Sequence, residues 1–276
     1  MRTGGAGLSQ SVESPHASAH AGPISSIGAI GRSTCRGVFC SGIVICCAAI
    51  AMIRALANIA GSIEVDDRAG RGGGRLGRQP AYRLGDLADP DSAREIWEEA
   101  VARLGTIDAL VNNAGIYEGV DVDASDADWD AAWTRTLTIN LTSAAGLCRL
   151  AVQHFKARGG GRIVNVASRA AFRGDSPHHW HYAASKSAIV GLTKTIARAY
   201  AAENILAFAV APGFTVSEMT DEYLQGRGGA AIVADIPLGR VTSTGEVAEA
   251  IRWLATEAPA ASTGSVIDLN GASYVR

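Results

Sequence analysis

From about residue 80 onward, apolar positions recur at the two spacings that secondary structure imposes, whereas the chain before that point lacks them. In DPDSAREIWEEAVARLG, residues 89–105, Ala93, Ile96, Trp97, Ala100, Val101 and Leu104 trace one helix face. Asp89 reads as the N-cap, Pro90 as the first helical residue and Gly105 as the stop. Short aliphatic and β-branched runs read as strands: DALV at 108–111, RIVNVAS at 162–168, ILAFAV at 205–210 and SVIDL at 265–269. Between them the pattern predicts helices from about Ser125 to Arg158, from about Tyr182 to Ala202, and near 245–256. Parallel strands need crossover connections, so this alternation predicts an α/β fold, a doubly wound parallel sheet in three αβα layers. Ligands of such sheets bind at the carboxyl ends of the strands. That rule selects NNAG after residue 111, Ser168, and APG after residue 210.

Residues 1–34 are rich in Gly, Ser, Ala and Pro, with Glu13 the only acid, and read as a disordered extension. An organellar targeting peptide shares that acid-poor composition, although arginine is sparse here. The uncharged stretch GVFCSGIVICCAAIAMI, residues 37–53, falls short of the ~20 apolar residues of a membrane span. Gly37, Ser41 and Gly42 interrupt it, and a buried strand running into a buried helix is the expectation.

The chain has 276 residues, 47% of them hydrophobic and 19% charged, enough for a substantial core in one large α/β domain. A net charge of -2 supplies no general attraction to nucleic acid or to anionic membrane. RAGRGGGRLGR at 68–78 reads as a solvated loop rather than an RNA-binding segment. Of five cysteines, Cys35, Cys40, Cys46 and Cys47 crowd one stretch with no CxxC spacing and no nearby histidine. Neither a metal site nor a disulfide framework is expected, and a reducing cytoplasm fits. His178, His179 and His181 share one loop without a carboxylate at fixed spacing, and with Trp180 they suit a substrate-pocket wall better than a metal.

One helical turn separates Tyr182 from Lys186 in WHYAASKSA. A phenol with its ordinary pKa near 10 is a poor base at neutral pH, and an adjacent ammonium favours the phenolate. Alone this pair is ordinary. Ser168, ending its strand at the same sheet edge, can hydrogen-bond the oxygen that Tyr182 serves, and the Asn140 amide can hold a water near Lys186.

NNAG (112–115), Asn140, Ser168, YAASK (182–186), APG (211–213) and the ending TGSVIDLNGA (263–272) together resemble the short-chain dehydrogenase/reductase family, in its oxoacyl-carrier-protein-reductase-like group. The resemblance runs from about residue 80 to the C-terminus and implies a Rossmann-type fold. It implies hydride transfer between a secondary alcohol and a ketone with NAD or NADP, on a small-molecule substrate, in a homotetramer or dimer. By position it makes Tyr182 the general acid/base, Lys186 the group that lowers its pKa and binds the nicotinamide ribose, Ser168 the substrate-oxygen partner and Asn140 the support of a proton-relay water. Asp86 and Leu87 would meet the adenine, and Asn113, Ala114 and Gly115 the adenosine ribose. Pro212, Gly213, Thr215 and Ser217 would line the nicotinamide and pyrophosphate. Residues 169–181 and 214–236 would shape the substrate pocket, the latter as a lid with Gly226, Gly228 and Gly229.

One part of the family pattern is missing. The family opens with a strand, a TGxxxGxG loop and a helix, and no such loop occurs here. In a domain spanning 35–276, residues 35–79 would fill this slot, with SIEV as the second strand and Asp66 or Asp67 as its terminal acid. An acid there favours NAD, while Arg68 keeps NADP open. The loop would fall at Cys40–Cys47, where Gly42 is the only glycine. The alternative is therefore a protein of this fold whose dinucleotide-binding loop is defective or mis-translated.

Overall fold

Alternation along the strands decides which helices cover which face. The computed structural model describes the backbone of residues 43–46 and all of residues 86–215 and 229–276. The extension at 1–34, Asp66, Asp67, Arg68, Ser217, Gly226 and Gly228 lie outside the described residues. Five strands form one sheet in sequence order: β1 (Ile43–Cys46), β2 (Ala109–Asn112), β3 (Gly161–Val166), β4 (Ile205–Pro212) and β5 (Val266–Leu269). Every neighbouring pair is parallel. Leu110, Ile163, Ile205 and Ala207 point to one face, while Val111, Val164, Leu206, Phe208 and Val210 point to the other.

The first face packs against α1 (Ser92–Leu104), α3 (Ser143–Arg158) and α5 (Trp180–Tyr200), through Trp97, Leu147, Ala151, Phe155 and Ile196. On the second face Val247, Ile251 and Leu254 of α7 (Thr244–Thr256) close the third layer. Each fully buried side chain of this kind contributes about 1.5–3 kcal/mol. Arg162 of β3 donates to the carbonyls of Leu254 and Ala258, placing a cation on the exposed carbonyls at the end of α7. None of the helices among the described residues is long and apolar enough to cross a membrane.

Three local expectations change. Helix α1 begins at Ser92 with Asp91 as N-cap, because Asp89 Oδ1 accepts from the Asp91 amide and keeps Pro90 in a turn ahead of the helix. The helical run expected from Ser125 is capped by the Ser125 hydroxyl but is not uniform. A π-helical turn, Thr138–Thr142, separates α2 (Asp126–Leu137) from α3. Finally, four of the eight residues of the Cys40–Cys47 segment, Ile43–Cys46, belong to β1, with Cys46 in register with Asn112, so this part of the expected loop is strand.

Candidate active site

The carboxyl ends of β2, β3 and β4 bring the sequence-selected residues to one edge. Asn112 turns inward, donating to Asn165 Oδ1 at 2.8 Å, and Asn165 donates to Thr193 Oγ1 at 2.9 Å, so a buried polar chain ties β2 and β3 to α5. Asn113, Ala114 and Gly115 continue from that strand end, half-buried.

The π-helical turn explains how Asn140 reaches the site from a helix. An extra residue in the turn rotates one side chain off the regular helical path, a device frequent at functional sites. Asn140 is buried, its Oδ1 accepts from the Ile116 amide at 2.8 Å, and its Nδ2 donates to the Ile116 carbonyl at 3.0 Å. The amide expected to hold a water is thus committed to the backbone that follows NNAG, with a longer contact, 3.4 Å, to Ser185 Oγ. A Cβ at Gly115 would lie 3.3 Å from both Asn140 Oδ1 and Lys186 Nζ, a tight contact that either side chain would have to relieve by shifting.

The Ser168 hydroxyl lies beside the Tyr182 phenol and acts on it, and Lys186 lies on the same helix face, its Nζ 5.8 Å from the Tyr182 ring centre. Lys186 is buried and donates to the Val166 carbonyl at 2.9 Å. Its effect differs from the expectation. Burial pushes the Tyr182 phenol up to about 12, against the lowering effect of the Ser168 hydroxyl and with a further upward push from Asp175. Burial likewise pulls the Lys186 ammonium down to about 8. Among the protein's own groups, desolvation outweighs the attraction between the pair.

On the β4 side, a Cβ at Gly213 would meet Asn270 Cβ at 2.9 Å, so the turn after Pro212 requires glycine. Thr215 forms an isolated bridge with Thr242 and donates to the Gly213 carbonyl. Asp86 is exposed, its Oδ1 accepting from the Ala88 amide, while the Leu87 side chain joins the core, so any contact of Leu87 with a nucleotide must come from its backbone.

Sequence reading missed the wall over Tyr182. Tyr117 stacks on His179 at 3.8 Å and meets Tyr182 edge-on at 4.8 Å, while its hydroxyl donates to Asp175 at 2.9 Å. The signal was an aromatic residue two positions after NNAG. Arg169, immediately after Ser168, fell within the pocket segment expected at 169–181 but was not singled out there. The three histidines point to separate partners: His178 to Asp121, His179 to Ser176, and His181 to the Trp133 ring. Trp180 packs edge-on against Trp129, so it and His181 lean on α2.

The family model described as Enoyl-(Acyl carrier protein) reductase matches residues 48–271. The chain belongs to the short-chain dehydrogenase/reductase family. It is 36% identical to the 3-oxoacyl-(acyl-carrier-protein) reductase FabG of Thermotoga maritima over 217 residues, 77% of this chain and 85% of that protein. It is 39% identical to nodulation protein G of Rhizobium sp. (strain N33), over 67% of this chain and 74% of that one. The crystal structure of a putative NAD(P)-dependent gluconate 5-dehydrogenase from Beutenbergia cavernae, with bound NADP at low occupancy, aligns with a TM-score of 0.63 at 34% identity. That alignment covers 68% of this chain and 74% of the other. The protein is therefore an NAD(P)-dependent short-chain dehydrogenase/reductase of Rossmann type that uses a nicotinamide dinucleotide. The alternative, a catalytically impaired protein of this fold with a defective or mis-translated dinucleotide-binding loop, is not favoured, since the family model matches most of the chain and the solved relative at 34% identity carries NADP.

His181 gives this short-chain dehydrogenase/reductase an acid-sensitive point beside Tyr182. Its ring is fully buried and neither nitrogen makes a full hydrogen bond. Burial lowers its pKa, and Glu118, through backbone and carboxylate, offsets only part of that. The folded chain therefore binds fewer protons than the unfolded one below the ordinary histidine value of about 6.5, and stability should fall as pH drops through that region. His154 and His179 are lowered too, again chiefly by burial. Denaturant titrations between pH 7.5 and pH 5, values chosen to bracket the histidine range, should show the loss; His181→Phe should reduce its slope by up to about 1.4 kcal/mol per pH unit.

Proposed function

We propose that the protein interconverts a secondary alcohol and a ketone, with Tyr182 as the proton donor and acceptor. What carries this reading is the Tyr182 phenol beside the Ser168 hydroxyl at the carboxyl edge of a parallel sheet, with Lys186 one helical turn away. A bound nicotinamide would supply or accept the hydride. Gly115 and Gly213, where a Cβ would crowd neighbouring groups, fit a cradle for such a ligand, with Asn113, Ala114, Pro212 and Thr215 beside them.

In the reducing direction, Ser168 donates a hydrogen bond to the carbonyl oxygen and Tyr182 delivers its proton to that oxygen as negative charge develops there. A phenol held near 12 is the protonated form, ready for this step. In the oxidising direction Tyr182 must first lose its proton, and Lys186 is the cation placed to favour that. Asn140 holds the backbone of residue 116 in place, which keeps Gly115 against Lys186.

Asp66, at the end of the expected second strand, argues for NAD, while the NADP in the solved relative argues for NADP. We take the chain to act in the cytoplasm as a dimer or tetramer of single Rossmann domains, a reading supported by family resemblance. Fluorescence titration with NADH and NADPH tests the nucleotide site. Saturable binding of at least one is expected, and a chain that melts cooperatively yet binds neither would overturn the reading.

A further inference from the structure

Arg169 is held in a way that the reaction does not explain. It follows Ser168 directly, so its Cα lies about 3.8 Å from that of the residue that takes the reacting oxygen. Its side chain is only 11% exposed, and its guanidinium lies over the Phe214 ring at 4.9 Å, just after Gly213. Of the five N–H donors of a guanidinium, one makes a hydrogen bond among the described residues, from Nη1 to Ser273 Oγ at 2.5 Å.

The charge balance around it is lopsided. Among the described residues, the one carboxylate within ion-pair range is Asp235, at 3.8 Å, beyond hydrogen-bonding distance. The same Asp235 oxygen is hydrogen-bonded at 3.0 Å by the more exposed Arg173, which repels Arg169. Asp175 also acts on Arg169, at longer range, but the Tyr117 hydroxyl and the Ser176 amide already hold its Oδ1. The most buried cation of the group thus has the weakest ionic contact. A desolvated guanidinium with open donors favours a planar anion that accepts from its fork.

Resting on the oxidoreductase reading above, we propose that Arg169 is a specificity-determining residue that binds a carboxylate on the substrate, so that the substrate class is an oxo or hydroxy acid. The reach of an arginine from the residue next to Ser168 places that carboxylate several bonds from the reacting carbon. Among the described residues Asp235 is the carboxylate that stands nearest the guanidinium, and a substrate carboxylate supplies the bidentate contact that Asp235 does not.

The test compares 4-oxopentanoate and 5-oxohexanoate with their methyl esters, as substrates with NADPH or NADH and as ligands by calorimetry at saturating nucleotide. The wild-type enzyme should prefer an acid over its ester by about tenfold or more in kcat/KM, the scale of one charge-assisted contact. Arg169→Met should collapse that ratio toward one, Arg169→Lys should leave an intermediate ratio, and Arg173→Met should preserve it. If Arg169→Met does not fold, the wild-type ratio and Arg169→Lys still decide. Equal or better use and binding of the esters by wild type overturns the proposal while leaving the oxidoreductase reading intact. Selective binding of the acids, lost in Arg169→Met but without turnover of any probe, supports the subsite and sinks the reaction instead. Absence of both binding and turnover of the acids overturns the proposal.

Discussion

Tyr182→Phe is expected to lower kcat by about 10²–10⁴-fold, the range that a positioned general acid contributes, while nucleotide affinity stays within about threefold. The substitution removes one oxygen and keeps the ring, so the edge-on packing against Tyr117 survives. Ser168 still accepts from the Ala170 amide at 3.1 Å, and helix α4 (Ala170–Arg173) keeps its start. The stability cost should therefore be no more than about 1 kcal/mol, the scale of one hydrogen bond. Stopped-flow reduction and nucleotide titration on the same preparation separate the two effects. A variant that retains more than about a tenth of the wild-type kcat would remove Tyr182 from the reaction.

The same residue shows what the sequence could and could not convey. Tyr182, Lys186, Ser168 and Asn140 were legible because each sits at a strand end or a helical spacing, and strand ends of a parallel sheet converge. The strands were legible because β4 is an unbroken apolar run, as a strand covered on both faces must be. Tyr117 and Asp175 were not legible, because they meet across 58 residues through two loops whose path no periodicity records. Arg169 escaped for a related reason, since its partners Ser273 and Asp235 come from distant parts of the chain. The π-helical turn is invisible to a 3.6-residue pattern because it shifts the phase by a single residue. The direction of the Tyr182 shift was misjudged because spacing reports which charges are near, while burial, the larger effect here, depends on everything packed around them.

Lys186→Met should abolish most activity without weakening the fold, and the two halves of that expectation have one cause. An ammonium buried here and lowered from 10.5 to about 8 carries a cost on the order of 3 kcal/mol for staying charged at neutral pH. Its one hydrogen bond among the described residues, to the Val166 carbonyl, returns only part of that. Methionine has similar length, fills the space and carries no charge to desolvate, so stability at pH 7 should be unchanged or higher. Catalysis should fall by about 10²–10³-fold or more, because the cation that lies beside the Tyr182 ring is gone. The pH dependence distinguishes this account from simple repacking. Between about pH 8 and pH 10.5 the folded wild type has released the Lys186 proton while the unfolded chain keeps it, so wild-type stability gains from rising pH across that window. The methionine variant lacks this gain, and the two stability curves should converge as pH rises. Denaturant titrations at pH 7, 8, 9 and 10, chosen to span that window, measure it directly. A variant less stable than wild type at pH 7 by more than about 1 kcal/mol would make the Lys186–Val166 bond a structural tie instead. If the curves converge, the fold tolerates an unfavourably buried charge where the reaction requires one, and stability is given up for function at that position.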